Sequence, residues 1–301
     1  MNVETRNILL PLTTKSSLEA VFHSGFLLAK RYRARISCIF FSDRPGEIAA
    51  MAGEGMAAGA MGDMIENAVQ QAQQNLEGVR HYLNELQKKG KVLWFDQTDP
   101  ENETALPSLQ ASAAPQVTLK FMEGTVEDVL TWQSRLADII LVPHLVPSED
   151  PNASDILHAM LYDGSQPVII SPPHAPKHIG NHIAIAWNGT AESALALRNV
   201  LPWARRAEKV TVLSSPDYQR IGPAAEAAID YLNLHGVVAD LKIVKGKKRK
   251  IGESLLQGAH EVGADLLSMG AYSHSRLRQR LLGGVTRYML ENADMTIMMS
   301  R

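Results

Sequence analysis

Two stretches of the chain carry the same alternation of apolar and polar positions. One is NILLPLTTKSSLEAVFHSGFLLAKRYRARISCIFF, near the start; the other is NHIAIAWNGTAESALALRNVLPWARRAEKVTVLSS, from Asn181. Each opens on a short apolar run of strand length. A Thr/Ser-rich turn follows, then apolar residues at helical spacing, a basic step and a second apolar run. The pattern continues. EGTVEDVLTWQSRLADIILVP in the first half has the shape of GESLLQGAHEVGADLLSMG in the second, and Ala137-Asp138 and Ala264-Asp265 each stand before a late apolar run. Each half closes on one more such run, QPVIIS at 166–171 and MTIMMS at 295–300. Few residues are identical between the halves, so the inference of a duplication rests on pattern.

Each half reads β-α-β-α-β-α-β-α-β. In the second half the pattern predicts strands near 182–187, 209–214, 237–244, 264–269 and 295–300, with helices near 191–205, 222–235, 251–262 and 279–291. Short apolar strands alternating with helices imply a parallel sheet covered on both faces. Right-handed crossovers make such a sheet doubly wound. The fold class is therefore α/β, with two tandem doubly wound, parallel, five-stranded sheets of the flavodoxin/Rossmann-like kind. The proline-rich SPPHAPKHIG, residues 171–180, separates a domain at 1–173 from a domain at 178–301. The first half has two additions: a Gly/Ala/Met-rich segment at 51–64, expected as a loop before a long helix, and an insertion at 96–115.

A chain of 301 residues is long enough for two domains of about 150 residues each. A net charge of −2 argues against a general nucleic-acid binder, which is basic overall. The single cysteine, Cys38, lies inside an apolar run, where it reads as a small core residue of a protein in a reducing compartment. No apolar run approaches the ~20 residues that cross a bilayer, and MNVETRNILLPL lacks the form of a signal peptide. The expectation is a cytoplasmic protein with neither membrane nor nucleic acid as a partner.

Open doubly wound sheets bind ligands beyond the carboxyl ends of their strands. In the second half that edge carries AWNGT, residues 186–190, and MGAYSHSRLRQRLLGGVTRYML, residues 269–290. Gly270 permits a close backbone approach. Gly283 and Gly284 fall where the last helix begins, and a helix start offers free N–H groups and a positive dipole end to an anion. Ser273, Ser275 and Thr286 add hydroxyl donors. The plainer alternative is a pair of glycines that only caps or kinks a helix. Of Arg276, Arg278, Arg280 and Arg287, one or two at most reach a phosphate. KGKKRK at 245–250 is either a solvated basic loop or a lip that attracts a polyanion, and it is not a Walker A loop. No catalytic set emerges: HEV at 260–262 lacks the second histidine of a zinc helix, and His274 alone is no mechanism.

The same residues resemble the universal stress protein family in its tandem form, with two family domains in one chain. The family pattern is G-x-x-G, nine residues, then G and Ser or Thr. Gly270 and Gly283 fill the first and third positions at the right spacing, Ser273 stands at the second, and Gly284 stands at the Ser/Thr position. The resemblance implies a sheet order of 3-2-1-4-5 and a site for ATP or a related adenine nucleotide, with or without Mg2+. Carried over by position, Gly270, Gly283, Gly284, Val285 and Thr286 would meet the phosphates, with Met269 beside them at the strand end. Asn188 stands where an acidic residue often meets the adenine or ribose, Ala186 lies beside it, and the Ser215 backbone would read adenine. Gly284 lacks the family hydroxyl, and losing one hydrogen bond to a charged group weakens binding by ~1.5–3 kcal/mol.

The first half departs further. Pro143 stands roughly where Gly270 does, Thr13 replaces the acid, and Glu149, Asp150 and Asp155 would repel phosphate. It reads as a degenerate domain kept for pairing and stability. PVIIS and TIMMS are expected to pair within the chain as a pseudo-dimer, or between two chains as a homodimer. The resemblance implies a stress-response nucleotide-binding protein with an unidentified protein partner and little or no catalysis. Two alternatives stay open: a slow ATPase or nucleotide phosphotransferase, and a nucleotide-independent interaction scaffold.

Overall fold

In the computed structural model the first half runs β1 (Asn7–Leu12), α1 (Leu18–Tyr32), β2 (Arg35–Ser42), α2 (Pro45–Ala52), α3 (Ala58–Lys88), β3 (Leu93–Asp96), β4 (Gln116–Glu123), α4 (Val126–Ser134), β5 (Ile139–Val142), α5 (Ala153–Tyr162) and β6 (Val168–Ile170). The second half runs β7 (His182–Ala186), α6 (Ala191–Ala204), β8 (Lys209–Ser214), α7 (Ala225–Leu234), β9 (Asp240–Ile243), α8 (Ile251–Glu261), β10 (Leu266–Gly270), α9 (Gly284–Asn292) and β11 (Thr296–Ser300). The structure describes residues 4–12, 18–42, 44–52, 58–99, 106–109, 113–144, 153–162, 164, 166–245, 250–271 and 284–301.

The strands form one sheet in the order β3-β4-β2-β1-β5-β6-β11-β10-β7-β8-β9. From β9 to β11 the second half has the 3-2-1-4-5 order, and its internal pairings are all parallel. From β4 to β6 the first half repeats that order and adds a sixth strand: β3 pairs with β4 in parallel, Leu93 opposite Gln116. The two five-stranded units are thus not separate sheets. They meet at an antiparallel pair of β6 and β11, with Met298 opposite Ile169.

Why these segments are strands follows from their burial. HIAIA and TIMMS are covered almost end to end, the mark of strands buried on both faces. Their side chains alternate between two cores. Ile8, Leu10 and Leu12 of β1 join Ile183 and Ile185 of β7 in one core, under Phe22 of α1, Leu83 of α3, Trp203 of α6 and Leu232 of α7. Leu9, Ala184 and Ala186 face the other, under Leu130 of α4, Leu157 of α5, Leu255 of α8 and Met289 of α9. Ile169 and Met298 carry the first core across the β6–β11 junction, and Val168, Ile170, Ile297 and Met299 carry the second. Both cores therefore span both halves.

Two aspartates hold the strand starts. The Asp138 carboxylate accepts from the Arg6 and Asn7 amides at 2.7 and 2.8 Å. Asp265 accepts from Gly180 at 2.6 Å and from Asn181 at 3.0 Å. The Ala-Asp pairs visible in both halves of the sequence are thus clamps on the amino ends of β1 and β7.

Of the segment 51–64, residues 51–52 end α2 and residues 58–64 begin α3, where a loop was expected; residues 53–57 lie outside the described residues. Alanine and methionine are strong helix formers. Cys38 is fully buried, and that burial pushes its thiol pKa up, away from reactivity.

Candidate functional site

The carboxyl edge of the second half is assembled from the ends of β7, β8 and β10 and the starts of α6 and α9. Strand β7 ends at Ala186 and a tight turn leads into α6. Thr190 is the N-cap, its hydroxyl accepting from the Ser193 amide at 3.3 Å. Asn188 supports that cap, its Oδ1 accepting from the Thr190 amide at 3.2 Å and from the Thr190 hydroxyl at 2.9 Å. Asn188 is 3% exposed. Its side-chain oxygen is therefore used to start the helix.

The segment 215–224 folds back over this turn. The Arg220 amide donates to the Asn188 carbonyl at 2.8 Å, and the Trp187 indole N–H donates to the Pro223 carbonyl at 3.0 Å. The Ser215 carbonyl accepts from Tyr218 and Gln219, both at 2.9 Å. Gly189 (φ +83°) and Gly222 (φ +152°) make this possible, because a side-chain carbon on Gly222 would stand 2.0 Å from the Gly189 carbonyl oxygen. Tyr218 is buried in the same place, and desolvation pushes its hydroxyl pKa up to about 12 against the pull of Arg220. Ser215 is buried as well, and its hydroxyl has no hydrogen-bond partner among the described residues. Sequence reasoning singled out Asn188 and Ser215 and missed Trp187, Gln219 and Pro223, which join them; the visible signal was the spaced pair Gly189 and Gly222.

On β10, Met269 is buried and Gly270 ends the strand. A side-chain carbon on Gly270 would stand 2.6 Å from the Glu192 carbonyl carbon and 2.7 Å from the Ser193 nitrogen. The close approach at Gly270 is thus made by the first turn of α6. The Ala271 amide already donates to the Ser300 carbonyl at 2.9 Å.

Helix α9 is described from Gly284 to Asn292, and residues 279–283 of the expected helix lie outside the described residues. Gly284 is exposed with no described residue close to where its side chain would start, Val285 is half-buried and Thr286 is buried. Helices α6, α7 and α8 each carry an acid in the first turn, Glu192, Glu226 and Glu253 respectively; α9 carries none. Arg287 is paired with Glu291 one turn on, at 2.8 Å. Ser273, Gly283 and the other three arginines of the motif lie outside the described residues, as do Thr13 and residues 246–249 of the basic run. The structure thus brings Ala186, Asn188, Ser215, Met269, Gly270, Gly284, Val285 and Thr286 to one edge of the sheet. The first three are buried beneath or beside the 215–224 segment.

Residues 181–301 match the model of the Universal stress protein family. The match takes in the second half of the fold, from β7 to β11. The likeness in fold extends further. A universal stress protein from Archaeoglobus fulgidus aligns over 98% of this chain and 96% of its own, with a TM-score of 0.63 and 13% identity. A functionally unknown protein from Pseudomonas aeruginosa aligns over 98% of this chain and 92% of its own, with a TM-score of 0.55 and 12% identity. At such identities the likeness speaks to architecture, and it places the first half of this chain in the same fold as the half that matches the family model. No curated protein sequence matches the chain. Among the described residues no helix is long and apolar enough to cross a membrane, and no group of three His, Cys, Asp or Glu is placed to hold a metal ion.

Proposed function

We propose that the universal stress protein domain, residues 178–301, binds ATP or a related adenine nucleotide at the carboxyl edge of β7 and β10, and that a protein partner reads its occupancy. The first half, residues 1–173, serves as a degenerate domain for pairing and stability. The observation that supports this reading is the first turn of α9. Gly284, the first described residue of that helix, is exposed at the carboxyl edge of β10, and no carboxylate stands in the first described turn to oppose an anion. Free N–H groups and a positive dipole end at such a position favour phosphate. The Thr286 hydroxyl adds a donor, and Gly270, Ser273, Gly283 and Val285 complete the cradle by position.

A second reading, a scaffold that works without nucleotide, is favoured by the 215–224 segment. It occupies the backbone groups of Asn188 and Ser215 at the end where a base would be read. A nucleotide would have to lift that segment, and its affinity would be reduced by that cost. Calorimetric titration of the full chain with ATP separates the two. Saturable binding supports the first reading, and no heat at millimolar ATP leaves the scaffold.

A further inference from the structure

We propose that the groove between the two halves is a ligand site of its own, suited to a small organic phosphate with a ring-sized apolar body. The argument starts from the duplication. Because β6 and β11 pair antiparallel, the first helix of each half leans over the amino ends of the other half's strands. On one side α1 meets the linker that leads into β7: Arg31 donates to the Gly180 carbonyl at 2.8 Å and to Asn181 Oδ1 at 2.6 Å, and His23 Nε2 meets the Pro176 carbonyl at 3.0 Å. On the other side α6 faces the corresponding places in the first half, Thr5 ahead of β1 and Asp138 ahead of β5. There is one linker and there are two such grooves. The connection 171–181 runs along the α1 groove, and the α6 groove keeps a cavity of about 630 Å3. Drug-sized ligand pockets run from about 300 to 1,000 Å3.

The lining selects an anion. Arg135 from the end of α4, Arg198 from α6 and Arg205 from the end of α6 stand around the cavity, with Asp138 as the one acid. Asp138 is already committed to the Arg6 and Asn7 amides. Arg205 is braced by His235, donating from Nε to its carbonyl at 3.1 Å. Arg135 and Arg198 make no side-chain hydrogen bond or ion pair with any described residue, and both are exposed. Two unengaged guanidinium forks beside a braced third match a dianionic phosphate, which such forks bind in a bidentate manner. The remaining lining includes Leu136, 86% exposed, and the half-buried Pro202, an apolar surface for a ring. This site is independent of the nucleotide reading and shares none of its residues.

The test uses phenyl phosphate as the probe on the full chain, with inorganic phosphate in parallel. Wild type is expected to bind phenyl phosphate saturably and more tightly than inorganic phosphate. The double variant Arg135→Ala/Arg198→Ala, with its unfolding midpoint checked, is expected to bind it at least about tenfold more weakly, the scale of one lost charged hydrogen bond. Gly284→Val is expected to leave the affinity unchanged. The proposal is overturned by any of four results: no saturation at millimolar phenyl phosphate, equal binding by the double variant, inorganic phosphate binding as tightly, or loss of binding in Gly284→Val, which would put the probe at α9.

Discussion

Gly270 and Ser193 are packed so closely that a side-chain carbon on the glycine would stand 2.7 Å from the serine amide nitrogen. The atoms in the way are backbone, part of a capped helix turn, and cannot swing aside. Gly270→Ala is therefore expected to destabilise the folded protein by about 1–3 kcal/mol, the usual cost of overpacking. Chemical denaturation without any ligand measures it. A variant as stable as wild type would return Gly270 to a role in ligand approach alone.

The clamp at the start of β7 gives a second expectation. Asp265 accepts from the Gly180 and Asn181 amides. Asp265→Ala leaves those donors without their partner and is expected to cost about 1–3 kcal/mol. Asp265→Asn retains one acceptor oxygen and should lose less. Denaturation midpoints of the two variants, compared at neutral pH, check the order.

Much of the second half was legible because its strands are buried runs bounded by turn residues, and HIAIA and TIMMS announce themselves. Strand β3 was not: LWFD is four residues long and half-buried throughout, with no alternation to read. At 58–64 the glycines suggested a loop, while the alanines and methionines decided the helix that is found there. At the site, the positions of Asn188, Ser215 and Gly270 at strand ends followed from the repeat. Their neighbours did not. That Gly270 yields to α6 is a fact about two backbones meeting, and a linear pattern holds no record of it.

The junction of the halves should behave as part of one core. Ile169 and Met298 are opposite each other in the antiparallel pair, and both are fully buried. Ile169→Asp places a carboxylate there without a partner, a change that costs several kcal/mol. Because both cores cross the junction, wild type is expected to unfold in a single calorimetric transition, and the variant to lose structure in both halves together. Two separate transitions in wild type would contradict the shared core.

His182 supplies a pH test. Desolvation, followed by the neighbouring Lys209 charge, lowers its pKa below the usual 6.5, and Asp265 opposes them only in part. Its ring nitrogen lies 3.0 Å from the Thr211 hydroxyl. The unfolded chain therefore binds a proton at His182 more readily than the folded one. Stability from this group is fully present above the unfolded pKa and is lost as pH falls from there through the folded pKa. Between about pH 7 and 5, His182→Gln is expected to show a smaller fall in Tm than wild type. Equal falls would mean that the imidazole titrates alike in both states.

The nucleotide reading meets its sharpest test at Gly284. No described residue lies within 4 Å of where its side chain would start, so a larger residue fits the described fold. Its amide opens the first turn of α9, and a bulky side chain there would stand in front of any phosphate on those N–H groups. Gly284→Val is expected to keep the wild-type unfolding midpoint within about 1 kcal/mol and to weaken ATP at least about tenfold in calorimetric titration. The contrast with Gly270→Ala is informative, since that substitution strikes the fold first. Should Gly284→Val bind ATP as wild type does, the phosphates do not lie on α9, and the site assignment fails even if nucleotide binds elsewhere.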